Sequence, residues 1–151
     1  MKKVLFLTMV LLIGVGISNA QDFETIVNFK LVAYNDKEMY LVNTKDAKID
    51  VFSIVFTGMK ANIVEIPGIK DAITPDKENN EFVVFAGNCE TFQYSPTRVY
   101  GKKEGKVYKY SLKPEILTAK PGTVIYEFID EVCLDKVGEQ LERKPKNNLK
   151  M

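Results

Sequence analysis

The chain has 151 residues, with 21 Lys and Arg against 20 Asp and Glu and no histidine at all. Near-neutrality removes the long-range field that would gather nucleic acid or an anionic membrane surface. The missing imidazole excludes Ser-His-Asp, Cys-His and H-E-x-x-H chemistry in this chain.

The first segment reads as a secretory leader. Lys2 and Lys3 precede an apolar run from Val4 to Ile17, and Ser18-Asn19-Ala20 places small residues ahead of Gln21. That is the pattern of a signal peptide cleaved after Ala20, whereas a spanning helix needs roughly 20 apolar residues. Cleavage leaves residues 21–151, one hydrophobic core's worth of chain, destined for the periplasm or the medium. No Cys follows the apolar run to carry a lipid anchor, and no later stretch approaches membrane length.

Along the mature chain the apolar period is two. Thr25, Val27, Phe29, Leu31 and Ala33 fall on one face of a strand with Asn28 and Lys30 on the other. Val51 to Phe56 and Phe82 to Phe85 are apolar on both faces and read as central strands, with shorter strands expected at 38–43, 61–66, 90–94, 97–101 and 106–112. Thr123 to Ile129 alternates as well and reads as a last strand. Pro67-Gly68 and Pro121-Gly122 suit type II turns, and Lys102-Lys103-Glu104-Gly105 suits a hairpin loop with Gly105 left-handed. The stretch from Gly68 to Glu81 is polar and reads as a long exposed connection. Leu134, Val137 and Leu141 allow one short helix, and the residues from Arg143 to Met151 read as a frayed tail.

Eight to ten short strands predict an all-β fold: a single antiparallel β-sandwich over residues 21–142 of immunoglobulin-like arrangement, or else a small closed barrel of the lipocalin kind. Cys89 and Cys133 are the only cysteines and lie in the exported part, where a disulfide persists. A bridge joining two strand ends across 44 residues is worth about 4 kcal/mol in the loop-entropy model.

Chemistry-bearing patterns are few. No nucleophile elbow, Walker loop or dinucleotide fingerprint is present, so no cofactor is expected. Glu127, Asp130 and Glu131 offer carboxylates for a histidine-free glycan hydrolase, with solvent-facing side chains as the plain reading. Ser53, Ser95 and Ser111 have no Lys at a telling spacing. Asp76, Glu78, Asn79, Asn80 and Glu81 are oxygen ligands of the kind Ca²⁺ prefers, yet the stretch lacks the Gly and Glu that complete an EF-hand loop.

One constellation stands out. Arg98, Lys102, Lys103, Lys106, Lys109 and Lys113 occur against a single Glu104, interleaved with Tyr100, Tyr108 and Tyr110. Tyrosine faces beside ammonium and guanidinium groups suit the anionic substituents of a glycan or an acidic protein segment, with Arg98, Tyr100, Lys102, Lys103, Lys106, Tyr108 and Tyr110 as the contact set. Against this stands a purely architectural reading: Tyr fills cores, and Lys on a hairpin blocks edge-to-edge aggregation. The functional expectation is therefore an exported, non-catalytic binding module for an unknown protein or glycan, without nucleic acid and without stable membrane insertion. A barrel-type carrier of a small apolar ligand is the alternative, and the glycan hydrolase the second alternative.

Overall fold

A computed structural model describes residues 28–143. The leader, the first residues of the run from Thr25 and the tail from 144 onward lie outside the described residues. Seven strands precede one helix: β1 (Phe29–Tyr34), β2 (Glu38–Asp50), β3 (Ser53–Glu65), β4 (Ile73–Asn88), β5 (Gln93–Lys103), β6 (Lys106–Ser111), β7 (Leu117–Thr118) and α1 (Val124–Arg143). The strands form one antiparallel sheet in the order β1-β2-β3-β4-β5-β6, with β7 also pairing β5. The expected all-β antiparallel class is what forms, sandwich-like in that apolar clusters line both faces. A closed barrel does not form, because β1 and β6 end the sheet on opposite sides without pairing.

Register assigns every side chain to a face. Leu31, Leu41, Met59, Phe82 and Tyr100 stand opposite one another across five strands, so they share one face. With Phe29, Met39, Ala61 and Ile73 they build a core of strand residues. The neighbouring row, Val42, Gly58, Val83 and Val99, looks the other way. There α1 lies down, and the two sides are called here the far face and the helix face.

The expected last strand is instead the start of α1. Val124 to Ile129 alternates only over a few residues; continued to Lys136, the same stretch places Ile125, Phe128, Ile129, Val132, Cys133 and Lys136 at the three- and four-residue spacing of a helix. Five of these positions, Phe128, Ile129, Val132, Cys133 and Lys136, are buried. Thr123 caps the first turn, its hydroxyl accepting from the Tyr126 N–H at 3.4 Å. The short helix expected near Leu134 is the second half of this element.

Gly58 is what lets the helix approach. A Cβ there would meet Phe128 Cε2 at 2.5 Å and Phe85 Cε2 at 3.2 Å, so Phe128 rests directly on the β3 backbone. Lys30 on β1 reaches Glu131 at 2.6 Å, and Lys136 donates to the Lys45 carbonyl at 3.1 Å. Cys89, one residue past β4, is bridged to Cys133 with their Cα atoms 5.7 Å apart. The disulfide thus ties sheet to helix rather than strand end to strand end.

The stretch expected to be an exposed connection from Gly68 is mostly strand. Only the turn before Ala72 is loop, and β4 begins at Ile73, fully buried opposite Glu65. Register then jumps from Ile63↔Pro75 to Ala61↔Asn80, which leaves 76–79 as an excursion from the ladder. Its polar residues satisfy one another: Asp76 accepts from the Glu78 N–H at 2.8 Å and from Asn79 Nδ2 at 3.0 Å. A similar irregularity between Leu31 and Ala33 turns Ala33 to the face opposite Leu31. Predicted strands 90–94 and 97–101 merge into β5, which begins only at Gln93 because Cys89 to Thr91 form a turn. Among the described residues no helix is long and apolar enough to cross a membrane.

Two stability outcomes follow from this packing. Removing the bridge with Cys89→Ala and Cys133→Ala together lowers the unfolding free energy by about 4 kcal/mol, read as a shifted urea midpoint. Gly58→Ala displaces Phe128 and destabilises by about 1–3 kcal/mol in the same measurement; an unchanged midpoint would mean that the helix does not rest on β3.

Candidate functional site

The β5–β6 hairpin closes through Glu104 and Gly105, whose φ values of 50° and 76° make a two-residue turn of the primed type. Lys103 pairs with Lys106 across it. The pleat then divides the basic and aromatic strip. Arg98, Tyr100 and Lys102 share the far face with Val107 and Lys109, whereas Lys103, Lys106, Tyr108 and Tyr110 share the helix face. The seven residues singled out from sequence therefore do not form one surface.

On the far face the sheet holds a cleft of about 540 Å³. Thr57, Val84 and Tyr100 line it, with Lys48 of β2 on one side, Arg98 of β5 between, and Val107 to Lys109 of β6 on the other. Tyr100 is fixed by stacking flat on Phe82, ring centroids 5.0 Å apart and planes 6° apart. Burial raises the pKa of its hydroxyl, while the Arg98 charge and a Thr57 hydrogen bond act in the opposite direction. The aromatic surface is thus rigid, neutral and set beside a guanidinium.

Charge in the cleft is unbalanced. Lys48, Arg98 and Lys109 are exposed and form no ion pair among the described residues. Asp46 is the carboxylate in the cleft lining, and amides already occupy it: Asn43 Nδ2 donates at 2.8 Å and Asn28 Nδ2 at 3.1 Å. Three cations therefore face solvent around an apolar and hydroxylic floor. Of these, Arg98 was in the contact set read from sequence and Lys48 and Lys109 were not. Lys109 follows from Arg98 and Tyr100 by the alternation rule once the hairpin register is known. Lys48 has no local signal, since only the strand order brings β2 to the cleft.

The helix face holds a different arrangement. Tyr108 reaches across Gly101 to donate to Glu81 Oε2 at 3.1 Å, and Tyr40 and Lys60 engage Glu38 at 2.8 and 3.2 Å. A smaller cavity of about 200 Å³ lies between this face and Val124, Ile125 and Phe128. It falls below the roughly 300 Å³ at which ligand pockets begin. The sheet is open, so no barrel interior forms among the described residues.

The carboxylates proposed for glycan hydrolysis sit on α1 rather than at a strand end. Glu127 and Glu131 are one turn apart on the same side of one helix, and Glu131 is held by Lys30. Two groups so placed do not flank a sugar from opposite sides. Ser95 Oγ accepts from the Glu115 N–H at 3.2 Å. Among the described residues no three Cys, Asp or Glu side chains converge as a metal site.

No protein-family model matches the chain, and no curated protein does. Solved structures similar in backbone include the following two. One, of Haemophilus influenzae protein E, has a TM-score of 0.49 at 13% identity, covering 72% of this chain and 85% of that one. The other, of protein E from non-typeable Haemophilus influenzae, has a TM-score of 0.47 at 15% identity, covering 74% and 78%. At these values neither likeness carries a residue role to this chain.

Tyr108 gives a pH signature for the hairpin. Burial, the hydrogen bond to Glu81 and the Glu81 charge push its hydroxyl up to about 12. The unfolded chain releases that proton near pH 10, so between about pH 10 and 12 the folded state holds more protons and this contribution to stability falls as pH rises. Tyr108→Phe is expected to flatten the alkaline decline of the urea midpoint relative to wild type. Identical slopes above pH 10 would remove the Glu81 contact.

Proposed function

We propose that this chain is an exported, non-catalytic binding module whose far-face cleft takes an anionic partner, an acidic protein segment or the anionic substituents of a glycan. One observation carries the reading: Lys48, Arg98 and Lys109 converge on a single cleft with no carboxylate paired to any of them among the described residues. An extended anionic ligand that enters it meets charge-assisted donors from both sides, Arg98 and Lys109 on one and Lys48 on the other. Tyr100 and Val107 add the flat and apolar surface against which a ring or an aliphatic chain can lie.

The remaining elements of the reading rest on composition. The leader over residues 1–20 and the Cys89–Cys133 bridge support an oxidising compartment. The histidine-free chain, with Glu127 and Glu131 stacked on one helix, supports binding without turnover. The chain as a whole is close to neutral, so recognition is local rather than steered from a distance.

Calorimetric titration with a sulfated glycan fragment and with polyglutamate tests this. Arg98→Ala and Lys109→Ala are each expected to weaken binding about tenfold, the worth of one charge-assisted contact. Lys37→Ala, on the β1–β2 turn, is expected to leave it unchanged. Equal losses in all three variants, or no binding by wild type at low salt, would refute the cleft as the site.

A further inference from the structure

β6 ends the sheet, and every residue in it except Tyr108 is exposed. In a two-residue hairpin the residues flanking the turn exchange both backbone hydrogen bonds, and the bonded pairs recur at every second position. From Lys103↔Lys106 the bonded pairs are then Gly101↔Tyr108 and Val99↔Tyr110. Lys106, Tyr108 and Tyr110 turn their backbone groups toward β5. Val107, Lys109 and Ser111 turn theirs outward, and these groups make no backbone hydrogen bond among the described residues.

The same alternation that aims those backbone groups outward puts the Val107 and Lys109 side chains on the cleft side. Val107 is 74% exposed, an apolar residue on an open edge beside three cations that have no ion pair among the described residues. On the other face Tyr108 and Tyr110 stack at 6.3 Å, and Tyr110 is 49% exposed. The edge therefore offers main-chain hydrogen bonds, a cationic side and an aromatic side in one strip. A second copy of β6 is a poor occupant, because antiparallel self-pairing centred on Lys109 sets ammonium against ammonium.

We infer that β6 accepts an extended acidic segment of a partner protein as an added strand, antiparallel or parallel, with acidic side chains on the cleft side and apolar ones against Tyr108 and Tyr110. This rests on the anion-binding reading of the cleft and specifies its partner as a peptide rather than a glycan. Main-chain bonds to Val107, Lys109 and Ser111 supply the docking, and Lys109 and Arg98 select the acidic residues.

The test uses a blocked peptide alternating Glu with Val, long enough to span β6, beside the same sequence N-methylated on one backbone edge and beside a sulfated glycan fragment. Amide hydrogen exchange and titration are read on the intact mature protein. The unmodified peptide is expected to bind and to slow exchange at Val107, Lys109 and Ser111 about tenfold or more, with Tyr108 and Tyr110 amides unchanged. N-methylation is expected to weaken binding at least about tenfold without altering its charge. Ser111→Pro removes an outward N–H from an exposed edge position outside the cleft lining and is expected to weaken the peptide but not the glycan. If methylated and unmodified peptides bind alike and both are lost in Arg98→Ala, the cleft stands and strand addition is overturned. If neither peptide nor glycan binds, the cleft reading itself has failed and this inference falls with it.

Discussion

The seating of Phe128 over Gly58 is the contact on which the rest of this architecture depends. It commits α1 to one face of the sheet, and the Cys89–Cys133 bridge and the Lys30–Glu131 pair hold it there. With that face occupied over β1 to β3, the far face keeps the open cleft. Had residue 58 carried even a methyl group, the helix would stand off by the width of that group and the buried row Ile129, Val132 and Cys133 would lose its floor. Gly58 thus sets how closely α1 packs, while the pleat of each strand sets which side chains, the cations included, face away from the helix.

Lysines on an edge strand have an ordinary explanation, which is protection against unwanted pairing. That account covers Lys106 and Lys109 on β6 but not the cleft as a whole. Arg98 lies on β5, inside the sheet between β4 and β6, and has no edge to guard, whereas Lys48 lies on the part of β2 beyond the β1 ladder, where among the described residues only β3 pairs with it. A solvated cation on an interior strand is common by itself. Arg98 sharing one concavity with Lys48 and Lys109, while Asp46 is turned to Asn28 and Asn43, is a local concentration of charge that edge protection alone does not account for.

How much of this was legible in the residues depends on the range of the signal. Alternation found most of the strands because each one has a side to bury, but Val51 and Phe52, read as the start of a central strand, form the exposed turn between β2 and β3. It failed at Thr123 to Ile129, where a short window fits either period and the helical one wins only when Val132, Cys133 and Lys136 are counted. It failed again from Ile73 to Glu81, since polar residues that solvate a loop equally well satisfy an excursion beside a ladder. The candidate site was half visible. Arg98 and Tyr100 were found as neighbours in sequence, their partner Lys109 was assigned to no site because the pleat was not carried across the hairpin, and Lys48 lies fifty residues from Arg98 and meets it only through strand order.

An edge that binds must also be stiff, because ordering a loose strand would consume most of what its new hydrogen bonds contribute. β6 is short, yet it is fixed at several points before any partner arrives. Its turn has the primed geometry that matches strand twist, and the excursion of β4 grips it: the Glu104 N–H donates to Asn79 Oδ1 at 3.0 Å and the Gly105 N–H to the Glu78 carbonyl at 3.1 Å. Tyr108 pins the strand's middle to Glu81, and the Leu112 N–H to the Thr97 carbonyl at 2.9 Å closes its far end. The polar letters of 76–81 thus acquire a role that neither a metal nor a mobile loop would give them. They brace the hairpin whose outer edge and far face carry the unpaired donors, so rigidity and exposure are supplied to the same strand by different parts of the chain.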